Sequence, residues 1–369
     1  MGLKPRLDKL YMIIEEKGLD AAVITRPDNI QYYLGIRTIA DSIHILHAPR
    51  KGNPVVYVPV LEYHRFRDTI GKYVDVKAFS KVMRLIDGEV VEKKISEILA
   101  GIADQHKRIG SDPHGSPIAL IVKETLGDKM INISPDVDRQ RSIKDPGEIE
   151  SIARAIDTTI KGIRTVIDHL YPEVTEKTLA GVFEYRVRIG GSEEQAFPPL
   201  VLFKPGNSYP HNLPSDNKLG RRNLVLIDVG IKINGYCSDL TRTVPWGRIS
   251  RVERRIIEAV NEAIENVIDK AEPGMEAQEI DRIARETLAK YGYDKYFIHG
   301  LGHGIGINVH EPPRLSIGCK ERIEPGMVFT IEPGVYIPGK LGVRIEEDAL
   351  MTEKGIKLLS SKLPRIIYP

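Results

Sequence analysis

The chain has 369 residues, enough for two domains, and its 41% apolar and 28% charged content is that of an ordinary globular protein. A net charge of +2 without long charged runs gives no footing for a nucleic-acid partner, and no apolar run approaches the ~20 residues that cross a bilayer. The opening Met-Gly-Leu-Lys-Pro-Arg lacks an apolar signal core, Arg6 stands where a myristoylation signal has Ser or Thr, and Cys237 and Cys319 have neither metal nor redox spacing, so a cytoplasmic protein is expected.

In chain order, residues 6–17 read as a helix with Leu7, Leu10, Ile13 and Ile14 on one face and Gly18 as its cap. A strand at 21–25, a turn at Arg26-Pro27-Asp28-Asn29 and strands at 42–47 and 54–60 follow. An amphipathic helix over 90–102 and a strand from 108 complete an α/β domain with a mixed sheet, residues 1–138, in which nothing looks catalytic. Its histidines, His44, His47, His64, His106 and His114, are scattered and read as core or surface residues. Residues 135–144 read as a polar linker, and the second domain is expected over 139–369.

Asp145-Pro146-Gly147-Glu148 is a strong helix start, with Asp at the N-cap, Pro at N1 and an acid at N3. Isoleucines at helical spacing carry that helix to about residue 167, and a second helix is expected over 176–189. The same order returns about a hundred residues later, with helices over 252–270 and 276–290. Glycine-rich strands follow each pair: 196–203 and a hairpin in the first half, 296–309, 327–336 and 342–351 in the second. This predicts an internally duplicated α-α-β-hairpin unit with pseudo-twofold symmetry.

The first hairpin, residues 224–243, turns at Asn234-Gly235, a strong short-range hairpin signal. Folding there sets Asp228 opposite Thr241 and puts Asp228 and Asp239 on one face. Two buried acids side by side call for a cation, either a metal or an arginine such as Arg242. The duplication demands a matching pair in the second half, and a loop centred on Gly339 sets Glu332 opposite Glu346. His303, in His-Gly-Leu-Gly-His-Gly-Ile-Gly, lies on a glycine-thinned strand that could reach the four acids. With no helix start behind it, that run is a poor dinucleotide motif.

Leu-Ile-Asp-Val-Gly, Ser-Asp-Leu-Thr-Arg-Thr, Gly-His-Gly-Ile-Gly, Thr-Ile-Glu-Pro-Gly and Gly-Val-Arg-Ile-Glu together resemble the ligand segments of the pita-bread metallopeptidases, the group of methionine aminopeptidase, Xaa-Pro aminopeptidase and prolidase. The resemblance covers about residues 140–365, and the N-terminal α/β domain points to the creatinase/prolidase branch. It implies a C-terminal α+β pita-bread domain holding two divalent metal ions, Mn²⁺, Co²⁺ or Zn²⁺. Asp239 and Glu346 would bridge them, Asp228 would complete one site, and His303 and Glu332 the other. Glu346 is preferred to Glu347 because the family ligand directly follows Arg-Ile. Thr241 is a weak further ligand candidate, and His299 is expected to have a structural or supporting role.

By the same resemblance, Tyr209-Pro210-His211-Asn212 and Val309-His310-Glu311-Pro312-Pro313-Arg314 are substrate segments, although Asn212 replaces a family glycine. His211 and His310 would steady the scissile carbonyl, Arg314 would hold a substrate carboxylate, and Glu332 would shuttle a proton for a hydroxide between the metals. The implied reaction is hydrolysis of an Xaa-Pro bond, of dipeptides as in prolidase, with an Xaa-Pro aminopeptidase as the alternative and a homodimer as the expected assembly. A metal-free creatinase-like hydrolase or a non-catalytic binding module shares the fold, but the intact ligand pattern argues against both.

Overall fold

The computed structural model describes residues 3–38, 42–85, 87–88 and 90–369; Met1 and Gly2, on which the targeting reading partly rests, lie outside them. The chain divides into two compact units, Met1–Arg141 and Ser142–Pro369.

In the first unit a seven-stranded mixed sheet runs, in spatial order, Val90–Val91, Asp75–Phe79, Val55–Pro59, Ile45–Pro49, Ala21–Ile24, Ile109–Ser111 and Met130–Asn132. Helix Leu3–Glu16 buries Leu7, Leu10, Ile13 and Ile14, the stripe read from the sequence. Three local expectations need correction. Arg26-Pro27-Asp28-Asn29 is not a turn but the start of helix Pro27–Leu34, because proline suits N1 of a helix as well as a turn. The helix expected over 90–102 is Ile95–Gln105; the β-branched pair Val90–Val91 is claimed by the sheet edge at Ala78–Phe79. The linker expected over 135–144 is largely helix Ser134–Ser142, whose polar residues are engaged in ion pairs: Arg141 with Asp28, and Asp138 with Arg26. Among the histidines, His44 is buried and stacked on Phe66, and His47 meets His106.

The second unit is the duplicated one. Helices Pro146–Asp168 and Glu176–Ile189 open its first half, Arg251–Lys270 and Ala277–Lys290 its second. Both leading helices start with the same device. Asp145 accepts from Gly147 N and Glu148 N while the Glu148 carboxylate accepts from Asp145 N, and Ser250 and Glu253 exchange the same bonds. The strand expected over 196–203 narrows to Leu200–Leu202, and that over 296–309 to Gly302–Gly304. Each pairs antiparallel with the first arm of its own hairpin, at Asn223–Val229 and Val328–Ile331.

Candidate metal centre

Both hairpins are built in two ladders with a break between them, and the acids sit at or beside the breaks. In the first, Asn223–Val229 pairs with Leu240–Trp246, setting Asp228 against Thr241, and Ile231–Ile233 pairs with Tyr236–Cys237. Asn234 and Gly235 make the turn at φ 51° and 74°, the left-handed pair a tight two-residue hairpin needs. The ladder breaks at Gly230 and at Ser238-Asp239. A Cβ at Gly230 would strike the Ser238 backbone oxygen, so only glycine lets the strands close there. Asp239 is left outside both ladders, its N–H donating to Asp348 Oδ2 at 3.1 Å.

In the second hairpin Ile331 pairs with Glu347 and Gly334 with Arg344. The register is the same on both sides of the gap, so Glu332 and Glu346 lie opposite each other within it. His303 comes from Gly302–Gly304, whose flanking glycines touch backbone: a Cβ on either would collide with the main chain of Thr330 or Pro312.

The five side chains named from the sequence converge. Ligand-type atoms of Asp228, Asp239 and Glu346 lie within 4.8 Å of one another, as do those of His303, Glu332 and Glu346. His303 Nε2 is 3.2 Å from Glu332 Oε1 and 3.7 Å from Asp239 Oδ2. Thr330 Oγ1 receives the His303 N–H and donates to Glu332 Oε1, both at 3.1 Å, holding histidine and acid together.

The electrostatics of this cluster are those of too many buried acids. Burial first, then the charges of Glu346, Asp228, Glu332 and Asp348, hold Asp239 well above the usual carboxylate range. Burial, Glu332 and Asp228 do the same to Glu346, against the Thr241 hydrogen bond and Arg344. Asp228 is also raised by burial, even though Arg344 pairs with it. Glu332 differs: burial pushes it up, but the hydrogen bond and charge of His303 outweigh this and bring it down to about 2.

Residues 150–353 match the model of metallopeptidase family M24, and residues 6–143 that of the creatinase/prolidase N-terminal domain. The chain belongs to metallopeptidase family M24. Among its relatives, the Xaa-Pro dipeptidase of Pyrococcus furiosus is 33% identical over 97% of this chain and 98% of that protein. The prolidase structure from Pyrococcus horikoshii OT3 superposes with TM-score 0.87 at 31% identity, covering 98% of this chain and 99% of that one. An X-Pro aminopeptidase structure from Thermotoga maritima gives TM-score 0.85 at 30% identity, with 98% of each chain covered.

As an M24 metallopeptidase the protein uses divalent metal ions, and the residues present fit them. Glu346 Oε1 is buried without a hydrogen-bond partner, and the donor set is carboxylate oxygen with one imidazole. The metallopeptidase site also contains groups the sequence reading passed over. Arg344, not Arg242, is the arginine of the cluster: it pairs with Asp228, bonds to Thr241 Oγ1 at 3.1 Å and contacts the Tyr336 hydroxyl. Arg242 is buried against Glu347 at 3.0 Å. The signal for Arg344 was its place two residues before Glu346, on the same face of the strand. Thr241 Oγ1 donates to Glu346 Oε2 at 2.6 Å. His299 Nε2 lies 3.1 Å from the Tyr336 hydroxyl, outside the metal cluster.

Of the substrate candidates, His310 is the one whose contacts reach the cluster. The His310 ring meets His303 edge-on at 4.2 Å between centroids, with a nitrogen within 4.8 Å of ligand-type atoms of Asp239 and His303. Burial, followed by the charge of His303, lowers His310 to about 4, against the charge of Glu332. His211, His310 and Arg314 are exposed. Asn212, the departure from the family glycine, turns inward: its Nδ2 donates to Gly206 O at 3.2 Å within its own loop.

Proposed function

We propose that this metallopeptidase hydrolyses the Xaa-Pro bond of dipeptides, as a prolidase, with two divalent ions, Mn²⁺ or Co²⁺ first and Zn²⁺ as the alternative. Asp228, Asp239 and Glu346 would hold one ion, and His303, Glu332, Glu346 and Asp239 the other. The observation that carries the reading is the convergence of these five side chains in a chain so similar, end to end, to an Xaa-Pro dipeptidase. When bound, the ions would polarise the scissile carbonyl and acidify water.

The protein's own groups do the rest. Glu332, ionised at neutral pH, accepts the proton of the attacking water and passes it to the departing proline nitrogen. His310, neutral above about pH 4, can donate an N–H to the carbonyl oxygen as negative charge develops there. His211 would add a second donor to that oxygen, and Arg314 would offer a guanidinium to the free carboxylate of a dipeptide. A tertiary Xaa-Pro amide has no N–H, so recognition must come from its carbonyl and its termini. The metal work would belong to the unit Ser142–Pro369, with Met1–Arg141 as the accompanying α/β domain. A homodimer fits the resemblance, and a cytoplasmic location fits the sequence reading.

An Xaa-Pro aminopeptidase is the second reading, favoured by the equally full match to the Thermotoga maritima aminopeptidase structure. The two separate on hydrolysis of an Xaa-Pro dipeptide beside an Xaa-Pro-Yaa tripeptide, each with Mn²⁺, Co²⁺ or EDTA. Dipeptide cleavage abolished by EDTA is expected. Preference for the tripeptide selects the aminopeptidase, and no cleavage of either with metal bound overturns the peptidase assignment.

A further inference from the structure

The two halves of the catalytic unit fasten their second helices in the same way. In the second half Ala277 N donates to Glu321 O at 2.8 Å, Gln278 N to Cys319 O at 2.9 Å, and Glu276 bridges Arg322. In the first half Glu176 N donates to Asn217 O and Lys177 N to Ser215 O, each at 3.2 Å, and Thr175 bridges Lys218. Glu176 and Ala277 are therefore equivalent positions with different side chains. An alanine suffices for the fastening itself, so the acid in the first half has another task.

Its bonds show which. Glu176 Oε1 accepts from Phe203 N at 2.6 Å, while Oε2 accepts from Ser215 N at 2.8 Å and Ser215 Oγ at 2.6 Å. The residue is 0% exposed. A buried carboxylate is costly unless its oxygens are filled, and here each is filled by a donor from one end of the same loop. That loop, residues 204–214, carries His211. Its middle is held by Asn207, whose Nδ2 donates to Leu224 O at 2.9 Å and whose Oδ1 accepts from Gly342 N at 3.0 Å. The exposed His211 side chain takes its position from this backbone.

We propose that Glu176 is a positioning residue for His211, its buried carboxylate clamping the two ends of the His211 loop. The assignment rests on the reading of His211 as a substrate-facing group, and the test separates the two. Glu176→Ala copies the second half and removes the clamp. Amide hydrogen exchange over 203–217 should quicken while exchange in the Asp228 and Glu346 strands stays unchanged. The kcat/KM for an Xaa-Pro dipeptide should fall about tenfold, chiefly in kcat, with metal affinity by calorimetry unaltered. In an H211A background the further loss should vanish. Losses that multiply in the double variant, or unchanged loop exchange, would overturn the proposal. Wild-type kinetics in H211A alone would remove the substrate reading of His211, and loop exchange would still decide the clamp. Should Glu176→Ala not fold, Glu176→Gln, which has one oxygen for two opposed donors, and Ser215→Ala serve the same comparison.

Discussion

Adjacent residues can have opposite tasks when a strand alternates its faces, and Glu346 and Glu347 illustrate it. Glu346 turns into the acid cluster with Oε1 unpartnered, whereas Glu347 is taken by Arg242 and the Ser360 hydroxyl. Glu346→Gln is expected to lose tight metal binding in calorimetry. Glu347→Gln should keep the metal but lower stability by about 3 kcal/mol, because Arg242 then stays buried without its counter-charge. Arg344 presents the converse case. It faces a cluster that already lacks cations, so Arg344→Met should destabilise the metal-free protein by about 3 kcal/mol in denaturant titrations, with added divalent metal restoring part of the loss. The four acids and His303 were legible in the sequence because each sits in a distinctive local segment. Arg344 was masked because an arginine beside a ligand reads equally well as a surface ion-pair residue, and only its burial settles the matter.

At the scale of elements, the site depends on backbones that touch. Gly342 admits the Asn207 main-chain oxygen, and Gly304 admits that of Pro312, at distances no Cβ allows. Gly304→Ala should therefore cost about 1–3 kcal/mol in thermal melts and, by pushing the His303 strand from the paired strand Glu311–Leu315 that follows His310, lower kcat/KM by more than the melt alone explains. Gly235→Ala, at φ 74°, should cost about 1 kcal/mol and leave metal affinity intact, since the turn lies beyond the break that carries Asp239. The hairpins and long helices were readable from turn and capping chemistry, which is local. The helices Pro27–Leu34 and Ser134–Ser142 were not, because ion pairs between residues a hundred positions apart, Asp28 with Arg141 and Arg26 with Asp138, help hold segments whose own composition reads as turn or linker.

For the whole molecule, the excess of acids links metal, pH and stability. Burial, and next to it the neighbouring acids, raise Asp239 and Glu346, and burial raises Asp228 despite its arginine. A carboxyl raised in the folded state stabilises below its unfolded value and loses that contribution as pH rises through the folded one. The EDTA-treated protein should therefore lose stability from about pH 4 upward, and the melting-temperature gain on adding Mn²⁺ or Co²⁺ should widen toward neutral pH. A gain independent of pH would contradict the acid cluster as the metal's seat. Asp112 in the first unit, raised by burial to about 7, adds a loss of the same sign between its ordinary value of 3.8 and that value. It does not involve metal, so Asp112→Asn should flatten that part of the profile and leave the metal-dependent part in place.

The sequence by itself determined the duplication, the helix start at Asp145, both hairpin registers and, through the resemblance, the set Asp228, Asp239, His303, Glu332 and Glu346. The helix start and each register rest on capping and turn chemistry within a few tens of residues, and the duplication on an order that returns about a hundred residues later. Only the tertiary structure decided that Arg344 rather than Arg242 answers the acids, that the ladders break where the acids sit, and that Glu176 rather than a backbone bond alone closes the His211 loop. Each of those depends on which buried polar groups find partners from distant segments, and burial is set by packing that no local pattern records.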